Sequence, residues 1–163
     1  MKTLLIVYHT RTGGSRQMAE AALEAARGEA GVETRLLPAR EAQPADLTGA
    51  DGYLFVFPEN LAAISGEMKE FFDRSYYPVL GRLNGRPYGL MVCAGSDGEN
   101  AVRQAARIAT GWRLKPVAEP IIVCTHAQTP EAIAAPKHLP AADRDRCAEL
   151  GAALAAGLAM GVF

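Results

Sequence analysis

The sequence predicts an α/β fold: a doubly wound parallel sheet of five strands covered by helices on both faces. Two observations carry this. Short, continuously apolar runs, of which Leu4–Tyr8 and Tyr53–Phe57 are the clearest, have the character of strands buried on both faces. These runs alternate with longer segments of helical spacing, the β-α-β-α order that places helices over a parallel sheet.

Taken in order, Leu4–Tyr8 is the first strand. The segment 15–27 is a helix, because Met18, Ala22 and Ala25 form one stripe and Ala19, Leu23 and Ala26 the next. Gly31 is placed to end it in a left-handed turn. Val32–Leu37 is a second strand stopped by Pro38, and a polar connection with Pro44 and Gly49 leads to the third strand at Tyr53–Phe57. Ser65 reads as the N-cap of a helix that buries Met68, Phe71 and Phe72. Gly81–Gly85 is turn-rich, Tyr88–Ala94 is a fourth strand, and Asn100–Thr110 is a helix with Val102, Ala105, Ala106 and Ala109 inward. An extended piece at Trp112–Val117 precedes a fifth strand at Pro120–Cys124, and a final helix spans Ala141–Ala159.

Composition bounds the possibilities. The 163 residues suit a single domain, 1–163, with a core of its own. Hydrophobic residues make up 49% and charged residues 21%, which excludes a disordered or fibrous chain. The net charge of -1 gives no overall field for nucleic acid or an anionic membrane. Cys93, Cys124 and Cys147 are odd in number and widely spaced, so a reducing compartment, the cytoplasm, is expected rather than a disulfide framework. The Ala/Gly-rich end, 150–163, is too short for a membrane span. Its glycines suit close packing on the sheet or on another subunit.

In open α/β sheets the ligand sits beyond the carboxyl ends of the strands. Three loops lie there. The first, His9-Thr10-Arg11-Thr12-Gly13-Gly14-Ser15, leaves a buried strand and opens a helix. Its glycines permit close backbone approach, its hydroxyls donate, Arg11 adds a charge, and the helix start supplies free N–H groups, which together make a phosphate site. A Walker loop and a dinucleotide fingerprint are both absent. The alternative is a helix-capping turn. The second loop, 58–66, begins at Pro58 and ends in Ser65-Gly66; the third, 93–100, carries Gly95 and Gly98, with Ser96 and Asp97 as candidate caps.

Thr10-Arg11-Thr12-Gly13-Gly14-Ser15 resembles the flavodoxin phosphate loop, and the second loop is similar to that of flavin-dependent NAD(P)H:quinone reductases in the flavodoxin-like superfamily. The resemblance implies a three-layer flavodoxin-like fold with strand order 2-1-3-4-5. It implies that residues 10–15 hold the 5′-phosphate of FMN. It implies that Pro58 leads in to Glu59, Asn60, Leu61 and Ala62, which lie along the isoalloxazine ring. Cys93, Ala94, Gly95, Asp97 and Gly98 would approach its pyrimidine side.

Two functions share this likeness. Electron carriers of the flavodoxin type are strongly acidic and sandwich the ring with aromatics. Here the charge is near zero, and neither 58–66 nor 93–100 holds a Trp, Tyr or Phe. The expectation is therefore an FMN-containing oxidoreductase that accepts hydride from NAD(P)H at N5 and passes electrons to a quinone, free flavin or other flat acceptor. A one-electron carrier is the alternative. No general acid or base is required, so no catalytic side chain and no metal ligand is assigned; His9 and His126 lie near strand ends but read first as loop or packing residues. A small-molecule acceptor is the expected partner, and a homodimer is expected from the resemblance alone. Tyr76-Tyr77-Pro78 is read either as reaching the ring's surroundings or a dimer partner, or as a surface turn with aromatic packing. Receiver domains are set aside because His9-Thr10 and Pro58-Glu59 stand where their acids would be. Low-molecular-weight phosphatases are set aside because neither Cys93 nor Cys124 begins a Cys-x5-Arg motif.

Overall fold

A computed structural model describes residues 1–163. The elements run β1 (Lys2–Tyr8), α1 (Gly14–Ala26), β2 (Val32–Pro38), α2 (Pro44–Gly49), β3 (Gly52–Asn60), β4 (Ala63–Ile64), α3 (Gly66–Val79), β5 (Pro87–Ala94), α4 (Glu99–Gly111), β6 (Lys115–Pro116), β7 (Ile121–Cys124), α5 (Pro130–Ala134) and α6 (Ala141–Met160). The sheet has the order β2-β1-β3-β5 with parallel pairing throughout, and its fifth position is shared by β6 and β7, both parallel to β5. This is the flavodoxin-like order expected from the sequence. The edge position is broken because β6 pairs at Pro87–Tyr88 and β7 resumes only at Met91–Ala94.

Alternation along the central strands divides the core in two. Leu5, Val7, Tyr53, Phe55, Phe57, Leu90 and Val92 pack against α3 and α4, while Leu4, Ile6, Leu54, Val56, Met91 and Cys93 pack against α1 and α6. Phe55 stands at the centre of the first layer, with Phe72 at 5.2 Å and Trp112 at 6.5 Å between ring centroids. Burying each such side chain contributes about 1.5–3 kcal/mol.

The Ala/Gly-rich C-terminal helix packs within the chain. A Cβ on Gly151 would collide with the Ala22 carbonyl oxygen, so α6 and α1 approach backbone to backbone there. No helix is long and apolar enough to cross a membrane.

Three differences from the sequence reading bear on the site. The second strand-end loop is a tight hairpin: β3 continues to Asn60 and pairs antiparallel with β4, Glu59 opposite Ile64 and Asn60 opposite Ala63. The connection after β7 contains the short helix α5. Ser65 occupies the N-cap position of α3, but its hydroxyl makes no cap bond and meets His9 instead.

Candidate functional site

The loops after β1, β3 and β5 converge on one cavity of about 390 Å³, lined at one end by Thr10, Arg11, Thr12, Gly14 and Ser15. That volume is within the usual range for a small-molecule site. Pro58, Glu59 and Asn60 come from the second loop, and Cys93, Ala94 and Gly95 from the third. No aromatic side chain lines it.

The first loop is shaped by its own chemistry. Gly13 has φ +97°, a left-handed conformation that favours glycine, and its N–H donates to Thr10 Oγ1 at 2.9 Å. This turn aims the start of α1 at the cavity. The amides of Arg11, Thr12, Gly14, Ser15 and Arg16 have no backbone acceptor. Ser15 is 1% exposed, yet its hydroxyl has no hydrogen-bond partner within the chain. A buried orphan hydroxyl beside free helix amides suits an anion with several acceptor oxygens, a phosphate ester above all. Gly14 is required by packing: a Cβ there would lie 2.5 Å from Cys93 Sγ.

A cation missed in the sequence stands over this loop. Lys137 Nζ donates to Thr12 Oγ1 at 3.2 Å and to the carbonyls of Ile133 and Ala135. Its backbone N–H donates to the Thr12 carbonyl at 2.8 Å, and Gln17 of α1 ties the strap down by donating to the Lys137 carbonyl at 2.7 Å. Thr125, Ala127, Ile133 and Ala134 complete that wall. The sequence does carry a local signal for α5, since Thr129 caps it by accepting from Ala132 and Pro130 sits in its first turn, but none for the place of Lys137.

The other two loops brace each other. The Glu59 carboxylate accepts from the Gly98 N–H at 2.6 Å. Gly98, at φ +92°, is the N-cap of α4 in place of the expected Ser96 or Asp97, and Asp97 accepts from the Glu99 amide. At the hairpin turn Leu61 and Ala62 both have positive φ, 51° and 61°, and α4 holds them there. Asn100 Nδ2 donates to the Ala62 carbonyl at 2.6 Å, and Gln104 accepts from the Ile64 amide at 2.9 Å. Non-glycine residues in this conformation are costly and persist only where their surroundings fix them. Gly13, Leu61, Ala62, Asp97 and Gly98 do not line the cavity. Gly13 and Gly98 shape helix starts, and Leu61 projects fully into solvent.

His9 lies outside the cavity, with Nδ1 2.8 Å from Ser65 Oγ and Nε2 3.2 Å from Glu67 Oε2. Burial lowers its pKa below the usual value, against the pull of Glu67 and aided by Arg11. Both ring nitrogens are engaged, so His9 fastens the first loop to α3. His126 is exposed at φ +58° and does not line the cavity. Burial pushes the Cys93 thiol up to about 11. Tyr76 and Tyr77 do not reach the cavity; Tyr76 stacks on Trp112 instead.

The family described as NADPH-dependent FMN reductase matches residues 37–129. A protein of Aquifex aeolicus named flavodoxin is 42% identical over 97 residues, 60% of this chain and 50% of its own length. One of Acidithiobacillus ferrooxidans named NAD(P)H dehydrogenase (quinone) is 34% identical across 46% of this chain and 48% of its own length. The chain thus spans about half the length of these curated relatives. Among solved structures, an archaeal flavodoxin superposes with a TM-score of 0.77 at 16% identity over 96% of this chain and 98% of that one. A WrbA-like flavodoxin from Agrobacterium tumefaciens does so with a TM-score of 0.70 at 19% identity, covering 98% of this chain and 99% of that one. At these identities the structures establish the fold alone.

Proposed function

The chain belongs to the NADPH-dependent FMN reductase family, and from that footing we propose that it binds FMN in the strand-end cavity and carries electrons from NAD(P)H to a quinone or other flat acceptor. The observation that supports this most is the buried, unpartnered Ser15 hydroxyl beside the free amides of α1, at one end of a cavity built by all three strand-end loops. FMN, when bound, supplies the redox chemistry at its ring.

The residues of the chain bind and orient. The hydroxyls of Thr10, Thr12 and Ser15 and the first-turn amides hold the phosphate, and Arg11 and Lys137 balance its charge. Pro58 to Asn60 and Cys93 to Gly95 form the walls for the ring, locked to one another by the Glu59–Gly98 hydrogen bond. No aromatic side chain lines the cavity, so a flavin ring held there would be flanked by Pro58 to Asn60 and Cys93 to Gly95 and by no stacked aromatic residue, an arrangement that would suit exchange with a flat donor and a flat acceptor in turn.

The name flavodoxin carried by the 42% identical relative favours a second reading, a one-electron carrier. Anaerobic addition of NADPH or NADH to the FMN-loaded protein, followed by a benzoquinone, separates the two. Rapid bleaching and rapid return of the yellow colour are expected. No bleaching by either nucleotide, with a persistent paramagnetic signal on dithionite titration, would establish the carrier.

A further inference from the structure

We infer that the groove between α3 and α4 is the docking face for an acidic protein, an electron-exchange partner that reaches the rim of the candidate site. The electron exchange rests on the function proposed above; the docking does not.

The groove encloses about 1210 Å³, and Arg103, Arg107 and Arg113 line it. None of these guanidiniums is ion-paired. The charge is segregated in the chain: residues 74–118 hold seven basic and two acidic side chains in a protein of net charge -1. Both acids, Asp97 and Glu99, lie at the site end of α4. Of the basic residues, Arg74 is paired with Glu70, and Arg86 turns inward to the carbonyls of Leu47, Thr48 and Ala50. The rest present unpaired positive charge to solvent.

The groove also has an aromatic floor. Tyr76 stacks on Trp112, with ring centroids 5.8 Å apart, and its hydroxyl occupies space that a Cβ on Gly111 would need. Glycine at 111 lets that ring settle. Tyr77, 80% exposed, and Leu80 stand beside it. Tyrosine and arginine around an apolar centre is the composition of protein interfaces.

Position names the partner. A second cavity, about 550 Å³, shares Tyr76 and Arg107 with the groove and extends to Ala63 and Ile64 of the hairpin. A partner broad enough to cover both cavities abuts the hairpin that borders the candidate site. Arg103 and Arg107 stand one turn apart on α4, about 6 Å along its axis, and Arg113 lies just beyond its C-terminal end. A single nucleotide phosphate would engage one turn of that row, whereas a protein's acidic face matches all of it. An isologous second copy would set these arginines against their own equivalents, which is repulsive.

Two probes test this: an acidic plant-type [2Fe–2S] ferredoxin and a glutamate-rich peptide containing leucine, titrated calorimetrically against the FMN-loaded protein. Saturable binding is expected that weakens as salt rises from ~20 to ~200 mM. It should fall at least about tenfold in Arg103→Glu/Arg107→Glu, with circular dichroism and FMN content unchanged. Binding by neither probe, or binding unaffected by the charge reversal, overturns the proposal. Four-way comparison covers the other occupants. A dimer dissociated by the substitutions, or binding of single-stranded DNA or NADPH that they abolish while the acidic probes bind as before, also overturns it. Failure of the protein to take up FMN, with the acidic probes still binding, would refute only the flavin function.

Discussion

The carboxylate of Glu59, at the end of β3, accepts a hydrogen bond from the backbone N–H of Gly98, the residue that starts α4, at 2.6 Å. With the Asn100–Ala62 contact, this bond joins two of the three loops that build the cavity. Glu59→Ala leaves the Gly98 amide without its acceptor, and a hydrogen bond to a charged group is worth about 1.5–3 kcal/mol. Thermal unfolding should shift down by about 2–4 °C per kcal/mol lost for a chain of this size. Glu59→Gln retains an acceptor oxygen and should recover most of the loss.

Lys137 reaches the first loop from 125 positions away in the sequence, Nζ to Thr12 Oγ1 at 3.2 Å. Lys137→Gln should weaken FMN binding about tenfold, the scale of one charge-assisted contact. Riboflavin, which lacks the phosphate, should be nearly unaffected. Fluorescence quenching titrations of the two ligands measure the difference.

Much of the fold and the core of the site were legible in the sequence because their signals are local. A buried run followed by Gly13-Gly14-Ser15 and a helical stripe marks a strand, a tight turn and a helix start within one short window, and the structure forms all three. The cavity's Cys93, Ala94 and Gly95 follow from strand β5 in the same way. Lys137 was not legible, because its place depends on α6 returning to α1 and on Gln17 holding the strap, contacts of long separation. The hairpin was missed because its turn uses Leu61 and Ala62 where turn chemistry favours asparagine and glycine. Only α4, through Asn100 and Gln104, makes that turn hold. The short helix α2 does carry a signal, Pro44 in its first turn with Asp46 accepting from the Gln43 amide, although its composition reads as a polar connection.

The contact between Gly14 and Cys93 is steric. Gly14→Ala places a methyl 2.5 Å from the buried Cys93 Sγ, so the neighbour must move. Overpacking of this kind costs about 1–3 kcal/mol. Cys93→Ala opens the space, and the double variant should be less destabilised than the two single effects added together. Urea denaturation of the four proteins measures the coupling.

His9 makes the fold pH-sensitive. Its folded pKa lies below the ordinary 6.5, chiefly through burial. The unfolded chain therefore binds the proton more readily, and stability falls as pH drops below the unfolded value toward the folded one. Above that window the contribution is complete. Denaturation of the ligand-free protein at ~pH 5.5 and ~pH 7.5 should show this loss, and His9→Gln should reduce the difference. An unchanged difference would remove His9 from the account.

The account rests on a phosphate held where β1 passes into α1. The most direct measurement is the ratio of dissociation constants for riboflavin and FMN on the same apoprotein. Three charge-assisted contacts at about 1.5 kcal/mol each predict a preference for FMN of about a thousandfold or more, reduced by Ser15→Ala. Equal affinity for the two flavins would contradict it.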